Sequence, residues 1–224
     1  MGRDYLSSMA LIRTVFQDEL DGVSQTLQEM SEMVILAISS ATDAILTANL
    51  ELAQEVIKSD DLIDSVQHEL DDRIIEIIAR QQPVATDLRA LVTALRISSD
   101  LERMGDMAHH IAKTARLRHP KVAVPAETTE IISHMGTVAK NMAQKMTQVI
   151  VTRSTDLSLE VEKDDDQMDD LHRKLISKIL ELKWESGVEG AVDLTLLGRH
   201  FERYADHAVS VARRINFLVT GSYR

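Results

Sequence analysis

Apolar residues recur at steps of three and four along most of the chain, which is the spacing of one face of an α-helix. The pattern predicts a first helix from about residue 13 to 46 and a second from about 49 to 80. Pro83 ends the second helix, because proline lacks an amide donor and restricts the residue before it. Residues 1–12 fit the pattern poorly, so we interpret them as a frayed start, an alternative start or a foreign segment.

A third apolar stripe continues into charged residues without a change of helical phase. Its apolar members are Val84, Leu88, Leu91 and Leu95, and its polar continuation is Ser98 or Ser99, Glu102, Asp106 and His109. We interpret this stripe as a seam between packed helices that is interrupted by carboxylates.

A segment with proline near both ends, His119 to Pro125, divides the chain into halves. After it, the pattern predicts a fourth helix, a fifth from about residue 156 to 185 and a sixth from about 189 to 218. Because every connection is short, neighbouring helices are expected to be antiparallel.

The six helices together predict an all-α fold. Three Pro, eight Gly and 3% aromatic residues in a chain that is 44% hydrophobic are typical of helical bundles. We predict two pseudo-symmetric three-helix bundles built from six long antiparallel helices. Residues 1–119 form the first bundle, residues 120–125 a linker and residues 126–224 the second bundle.

The two halves repeat one pattern of apolar and acidic positions. An offset of 105 residues carries the apolar ladder of the second helix onto that of the fifth, and Asp60 onto Asp165. The matched ladder positions are Val56, Ile63, Leu70 and Ile77 in the first half and Val161, Met168, Leu175 and Leu182 in the second. For the third and sixth helices the offset is 100, so a turn five residues shorter in the second half accounts for the difference.

Carboxylates from two helices are predicted to meet in each half. If the second and third helices form an antiparallel hairpin about Pro83, Asp60 is level with Asp106, and Asp64 is level with Glu102. The second hairpin brings the corresponding residues to one height in the same way. The first cluster is Asp60, Asp64, Glu102 and Asp106, and the second cluster is Asp165, Asp169, Glu202 and Asp206.

Helical phase places Asp60 and Asp165 inside the apolar stripes and Asp64 near the edge of its stripe. Carboxylates left together in an apolar seam without a partner would cost several kcal/mol each or would be protonated. A shared multivalent cation removes that penalty. All-oxygen ligands favour magnesium, manganese, calcium or iron over copper, and they accept zinc without selecting it. The alternative interpretation of these residues is a solvated acidic surface.

Composition narrows the class of function. The net charge of −11 argues against a nucleic-acid-binding surface, which needs clustered Lys and Arg. The absence of Cys excludes disulfides, thiolate zinc sites and a Cys nucleophile. No uninterrupted apolar run approaches the roughly 18 residues of a membrane span, and the N-terminus has no apolar signal segment. We therefore predict a soluble intracellular protein.

Motifs of nucleophilic and nucleotide chemistry are absent, including Gly-x-Ser-x-Gly, a phosphate-binding Gly-rich loop with Lys, and Gly-x-Gly-x-x-Gly. The first hypothesis is therefore a non-catalytic protein whose clusters bind metal. The alternative is a metal-dependent hydrolase or oxidase of helical-bundle type that uses the same clusters. It would need an open coordination position and a nearby base, and no sequence feature supplies the base.

Three stretches of the chain carry motifs that can be compared with known families. They are Val56-Ile57-Lys58-x-Asp60, Ala79-Arg80-Gln81-Gln82-Pro83-x-Ala85-x-Asp87-Leu88-Arg89 and Ser99-Asp100-Leu101-Glu102-Arg103-Met104-Gly105-Asp106. These stretches resemble the PhoU proteins, which are accessory regulators of phosphate uptake. The resemblance covers essentially the whole chain after about residue 13.

The resemblance implies a cytoplasmic, often homodimeric protein that damps the phosphate-starvation (Pho) response. Members of the family are thought to bridge the ATPase subunit of the Pst phosphate transporter and a membrane sensor histidine kinase, so any membrane association would be peripheral and through these partners. The resemblance also implies divalent or trivalent metal ions at both clusters, namely iron, zinc, magnesium or manganese. Tyr204-Ala205 departs from the family pattern, which usually has Gly before the second Asp.

Three basic side chains adjoin the predicted clusters in sequence. His109 follows Asp106 within one helical turn, but its counterpart in the repeat is Val209, so we interpret it as a pore-edge or surface histidine. Arg103 and Arg203 are expected to point away from the clusters and to pair with local acids.

Overall fold

The computed structural model describes residues 2–181 and 187–222, with side chains described from residue 15 onward. Within these ranges the chain forms six α-helices and no strand, which confirms the all-α prediction. The helices are α1 (Gly2–Thr47), α2 (Leu50–Gln81), α3 (Ala85–Arg118), α4 (Thr129–Thr152), α5 (Thr155–Ile179) and α6 (Gly187–Thr220).

Local chemistry sets the ends of α2. The side chain of Asn49 accepts a hydrogen bond from the backbone N–H of Leu52 at 3.0 Å, which caps the N-terminus of the helix. At the other end, Gln82 adopts a left-handed conformation (φ 46°, ψ 52°), and its N–H still donates to the carbonyl of Ile78. Pro83 follows at once, so the predicted turn between α2 and α3 is confirmed at this position.

Two predicted helix boundaries differ from those of the structure. α1 begins at Gly2, so its backbone is helical through the segment predicted to be frayed or foreign; the side chains of residues 1–14 lie outside those described. α5 ends at Ile179, whereas its predicted end was near residue 185. Leu182, the last predicted ladder position of α5, lies among residues 182–186, which are outside the described ranges.

Four helices form the centre of the molecule. α1, α3, α6 and α4 each contact the next in a closed ring, while α2 packs on α1 and α3, and α5 packs on α4 and α6. The helices of each predicted bundle contact one another, and one continuous hydrophobic core includes residues from both halves. α2 and α5 therefore lie outside the ring, where each buries only a narrow stripe.

The burial of α2 follows the predicted ladder. Its buried residues are Ala53, Val56, Asp60, Ile63, Leu70, Ile74 and Ile77. In α3 the prediction was wrong at its first positions, because Val84 is 75% exposed and Leu88 is 38% exposed. α3 packs against α1, α2 and α6. Its buried face includes Leu91 and Leu101 and does not include Val84. The carboxylates consequently lie at the edge of this face, beside α2.

The apolar character of α1 agrees with a position in the core. By length and composition alone, Val15–Thr47 passes as a candidate membrane span, but half of its most apolar window is buried inside the protein. Core helices pass the same test. α1 contacts α2, α3 and α4.

Two close contacts join the halves across the ring. The hydroxyl of Tyr204, which is fully buried in α6, donates to the carbonyl of Val34 in α1 at 2.9 Å. In addition, α1 and α4 approach closely at Gly136, where an added Cβ would lie 2.6 Å from the Oγ1 of Thr42. Since Thr42 is itself buried, the space for a methyl group there is already filled.

We expect Gly136→Ala to lower the free energy of unfolding by about 1–3 kcal/mol, because the added methyl overpacks the contact between α1 and α4. Gly22→Ala is the matched control, since a Cβ there meets only the flexible guanidinium of Arg73. That control should be neutral or stabilising by up to about 1 kcal/mol, from helix propensity. Urea unfolding followed by circular dichroism measures both variants. Equal stability of the two would contradict the close packing of α1 on α4.

Candidate metal centre

The first cluster lies where α2 and α3 run antiparallel at the edge of the core. Asp60 on α2 is 8% exposed, and its Oδ1 lies 3.3 Å from where a Cβ on Gly105 would be. The lack of a side chain at Gly105 therefore gives the Asp60 carboxylate room beside α3. Asp64, Glu102 and Asp106 are half-buried. The predicted inward position of Asp60 and edge position of Asp64 are confirmed.

The first-cluster carboxylates act on one another electrostatically. Burial raises the pKa of Asp60, His109 opposes that rise, and repulsion from Asp106 and Asp64 adds to it. Burial likewise raises the pKa of Glu102, and Asp106 raises it further while Arg103 opposes the change. Asp64 and Asp106 thus lie close enough to Asp60 and Glu102 to disfavour the ionised form of those two groups.

Two carboxylate oxygens in this cluster have no partner. The Oδ1 atoms of Asp60 and Asp64 are buried, and neither accepts a hydrogen bond from any residue that the structure describes. Buried polar atoms in folded proteins are normally satisfied, so an unpartnered pair in one cluster marks a place where a ligand can bind. For two carboxylate oxygens, that ligand is a cation or a donor such as water.

Two protein cations partly neutralise the first cluster. Arg103 places Nη1 2.7 Å from Asp106 Oδ2 and Nε 3.3 Å from Glu102 Oε2. The expectation that Arg103 points away from the cluster was therefore wrong, although its pairing with local acids is confirmed. Nδ1 of His109 is hydrogen bonded to Asp60 Oδ2, which the sequence interpretation missed. The signal was available, because His109 lies only one turn beyond Asp106.

The second cluster lies at the equivalent place between α5 and α6 and is more open. Asp165 and Glu202 are half-buried, whereas Asp169 and Asp206 are exposed. Burial raises the pKa of Asp165 to about 6, with repulsion from Asp206 and Asp169 adding to the rise and Arg213 opposing it. Burial also raises the pKa of Asp206, and Glu202 raises it further.

Different cations accompany the second cluster. Arg199 pairs with Glu202, and Nδ1 of His172 lies 3.9 Å from the other oxygen of that carboxylate. Arg203 lies close enough to Asp206 to oppose the rise in its pKa. The repeat therefore preserves the carboxylates while changing the basic side chains around them.

The donor set of both clusters fits a hard cation better than a soft one. Each cluster offers four carboxylates, which are ligands that magnesium, manganese and iron accept. Among the described residues, however, no three His, Asp or Glu side chains are arranged to hold one metal ion. Arg103 contacts one oxygen of Glu102 and one of Asp106, and His109 contacts one oxygen of Asp60. A cation that used these same oxygens would displace the two side chains.

Comparison with known proteins gives the family context of this arrangement. The profile described as "PhoU domain" matches residues 27–115 and residues 132–215, one range in each half of the repeat. The chain is 40% identical over 212 residues to "Phosphate-specific transport system accessory protein PhoU homolog 2" of Mycobacterium tuberculosis, covering 95% of this chain and 100% of that protein. It is also 40% identical over 212 residues to homolog 1 of Mycobacterium leprae, covering 95% and 96% of the two chains.

Two solved structures share the fold. The crystal structure of PhoU from Pseudomonas aeruginosa superposes with a TM-score of 0.84 at 29% identity, over 92% of this chain and 100% of that one. The structure of the phosphate transport system regulatory protein PhoU from Streptococcus pneumoniae also gives 0.84, at 25% identity over 93% and 99%. The likeness extends over both halves of the repeat.

We expect Asp165→Asn to stabilise the cation-free protein at pH 7.5 by an amount on the order of 1 kcal/mol. The folded pKa of about 6 exceeds the model-peptide value of 3.8, so the folded state binds the proton more tightly than the unfolded state. Stability from this group is therefore present below pH 3.8 and is lost as pH rises through 6. Urea unfolding at pH 7.5 and 4.5 should show the gain of the variant shrinking at the lower pH.

Asp166→Asn is the control for this prediction, because Asp166 is the exposed neighbour of Asp165 on α5. It removes the same charge from the chain while Asp165 keeps its half-buried carboxylate. If both variants change stability equally at both pH values, the burial of Asp165 does not penalise its ionised form.

Proposed function

Because the chain belongs to the PhoU family, we propose that it is a negative regulator of phosphate uptake and of the phosphate-starvation response. It would act from the cytoplasm by contacting the ATPase subunit of the phosphate transporter and a sensor histidine kinase. Its relatives are named accessory proteins of phosphate-specific transport, which supports the transport role. In this role the protein would bridge the two partners and would form a homodimer.

Metal binding at both clusters is the second part of the proposal. The observation that carries it is the pair of buried, unpartnered oxygens on Asp60 and Asp64. They lie in a cluster where burial and neighbouring carboxylates raise the pKa of Asp60 and of Glu102. The proposed ligands are Asp60, Asp64, Glu102 and Asp106 in the first cluster, and Asp165, Asp169, Glu202 and Asp206 in the second. Iron, zinc, magnesium and manganese are the candidate ions.

The role of the cation would be electrostatic and structural. A bound cation neutralises the repulsion that the carboxylates exert on one another across the seams of the two hairpins. In the first cluster it would also release Arg103 and His109 from their present partners. The charge and position of these two side chains would then differ between the cation-free and cation-bound protein. A partner protein that contacts this surface could then distinguish the cation-bound form from the cation-free form.

Catalysis is not part of the proposed function. Family membership favours an accessory protein over a metal-dependent hydrolase or oxidase, which was the alternative interpretation of the same carboxylates.

We expect the purified wild type to contain metal. Changing both Asp60→Asn and Asp106→Asn should remove the metal of the first cluster. Elemental analysis after exposure to each candidate ion and removal of excess ion should show at least one metal equivalent fewer in the double variant. Asp61→Asn, which changes the exposed neighbour of Asp60, is the matched control and should keep the wild-type content. Absence of metal from the wild type under every loading condition would refute the metal proposal.

The regulatory proposal makes a separate prediction in cells. A strain that lacks this protein and any paralogue should express its phosphate-starvation genes in phosphate-rich medium, and the wild-type gene should restore repression. Reporter expression that stays repressed in the deletion strain would count against the regulatory role, whatever the metal content of the protein.

A further inference from the structure

A basic pocket lies between the first turns of α3 and the end of α6, away from both carboxylate clusters. Its volume is about 290 Å³, and its lining includes Leu88, Arg89, Val92, Arg96, Arg214 and Phe217. Three of its eight lining residues are arginine and none is acidic, in a chain with 36 Asp and Glu against 25 Lys and Arg. The charge of the pocket is therefore opposite to that of the protein.

The three arginines differ in the partners that they already have. Arg96 is exposed and has neither a hydrogen bond nor an ion pair with any residue in the described part of the chain. The guanidinium of Arg89 lies 5.7 Å from the ring centroid of Phe217, a cation–π contact that leaves its N–H groups available. Arg214 donates through Nε, at 2.7 Å, to Asp100.

A buried network orients Arg214. Asp100 is 8% exposed and accepts from both Arg214 Nε and Nδ1 of His207, the latter at 3.0 Å. Because Asp100 engages the inner edge of the guanidinium, the two terminal nitrogens of Arg214 remain for a ligand. This is how a protein directs a guanidinium fork toward a phosphate or carboxylate group.

The repeat shows that this pocket belongs to one half only. The positions equivalent to Arg89 and Arg96 in α6 are Glu189 and Leu196. Glu189 is already paired with Arg118, and the pocket that contains Leu196 is lined mainly by apolar residues. The arginine cluster is therefore a feature specific to this end of the interface between α3 and α6.

We propose that this pocket binds a phosphate group, with Arg96 and the terminal nitrogens of Arg214 as its donors. Arg96 of α3 and Arg214 of α6 both line the pocket. Arg89 also lines it and contacts the ring of Phe217. The exposed side chains of Leu88 and Val92 also line the pocket and give it an apolar wall. A phosphate ester with an apolar or aromatic substituent fits this combination better than free phosphate, which would use the arginines alone.

Isothermal titration calorimetry with phenyl phosphate, inorganic phosphate and neutral benzyl alcohol tests the proposal. The protein is first treated with a chelator that is then removed by dialysis. Phenyl phosphate should bind saturably, more tightly than inorganic phosphate, and benzyl alcohol should not bind detectably. Arg96→Ala should weaken phenyl phosphate binding about tenfold, which is the typical effect of losing a charge-assisted hydrogen bond. Equal affinities for phenyl phosphate and inorganic phosphate would overturn the proposed preference for an ester and would assign the site to free phosphate.

Two further variants test whether the bound phosphate occupies this pocket. Arg116→Ala removes another exposed, unpaired arginine from the described part of α3 and should leave binding unchanged. Asp60→Asn should also leave it unchanged, because the pocket does not depend on metal at the first cluster or on the proposed regulatory role. Wild type and Arg96→Ala binding with one affinity, or no saturation at millimolar ligand, would overturn the proposal.

Discussion

Repulsion between partly buried carboxylates destabilises the seam between α2 and α3 unless a positive charge offsets it. Asp60 lies in the apolar stripe of α2, and three further acids stand beside it at the edge of the core. Removing a charge from water costs several kcal/mol unless it is paired, and like charges nearby add to that cost. Arg103 and His109 offset part of it, yet two oxygens remain buried without a partner among the described residues.

The architecture explains why both clusters occupy outer seams. α1, α3, α6 and α4 form the central ring, so α2 and α5 each bury one narrow stripe and face solvent elsewhere. A carboxylate at the edge of such a stripe is desolvated enough to need compensation and still open enough for an ion to enter. Asp165 combines both properties. Burial raises its pKa to about 6, while two of its cluster partners, Asp169 and Asp206, remain exposed.

The sequence predicted those features that depend on helical periodicity. Six helices, the turn at Pro83 and the inward position of Asp60 all follow from phase and from the constant height relation of an antiparallel hairpin. Periodicity could not give the true buried face of α3, because that face is set by which three helices it contacts. Val84 and Leu88 share the stripe of Leu91 and Leu95 in sequence, yet both are exposed in the structure.

Side-chain partners were the least predictable part of the site. Whether Arg103 turns toward Glu102 or away from it depends on rotamers and on the local field, which residue spacing does not determine. The pocket of three arginines was also invisible in the sequence, because Arg214 lies more than one hundred residues from Arg89 and Arg96 and meets them only through the packing of α6 on α3. The net charge of −11 likewise gives no sign of a local cluster of arginines.

The stability of the protein with and without cation tests the central claim most directly. Urea unfolding at pH 7.5 is measured after chelation and again with each candidate ion in turn. A cation at 100 times its dissociation constant should raise the free energy of unfolding by about 2.7 kcal/mol per site. We expect this gain for the wild type and its loss when Asp60 and Asp165 are both changed to Asn. A wild type equally stable with and without every ion would contradict it.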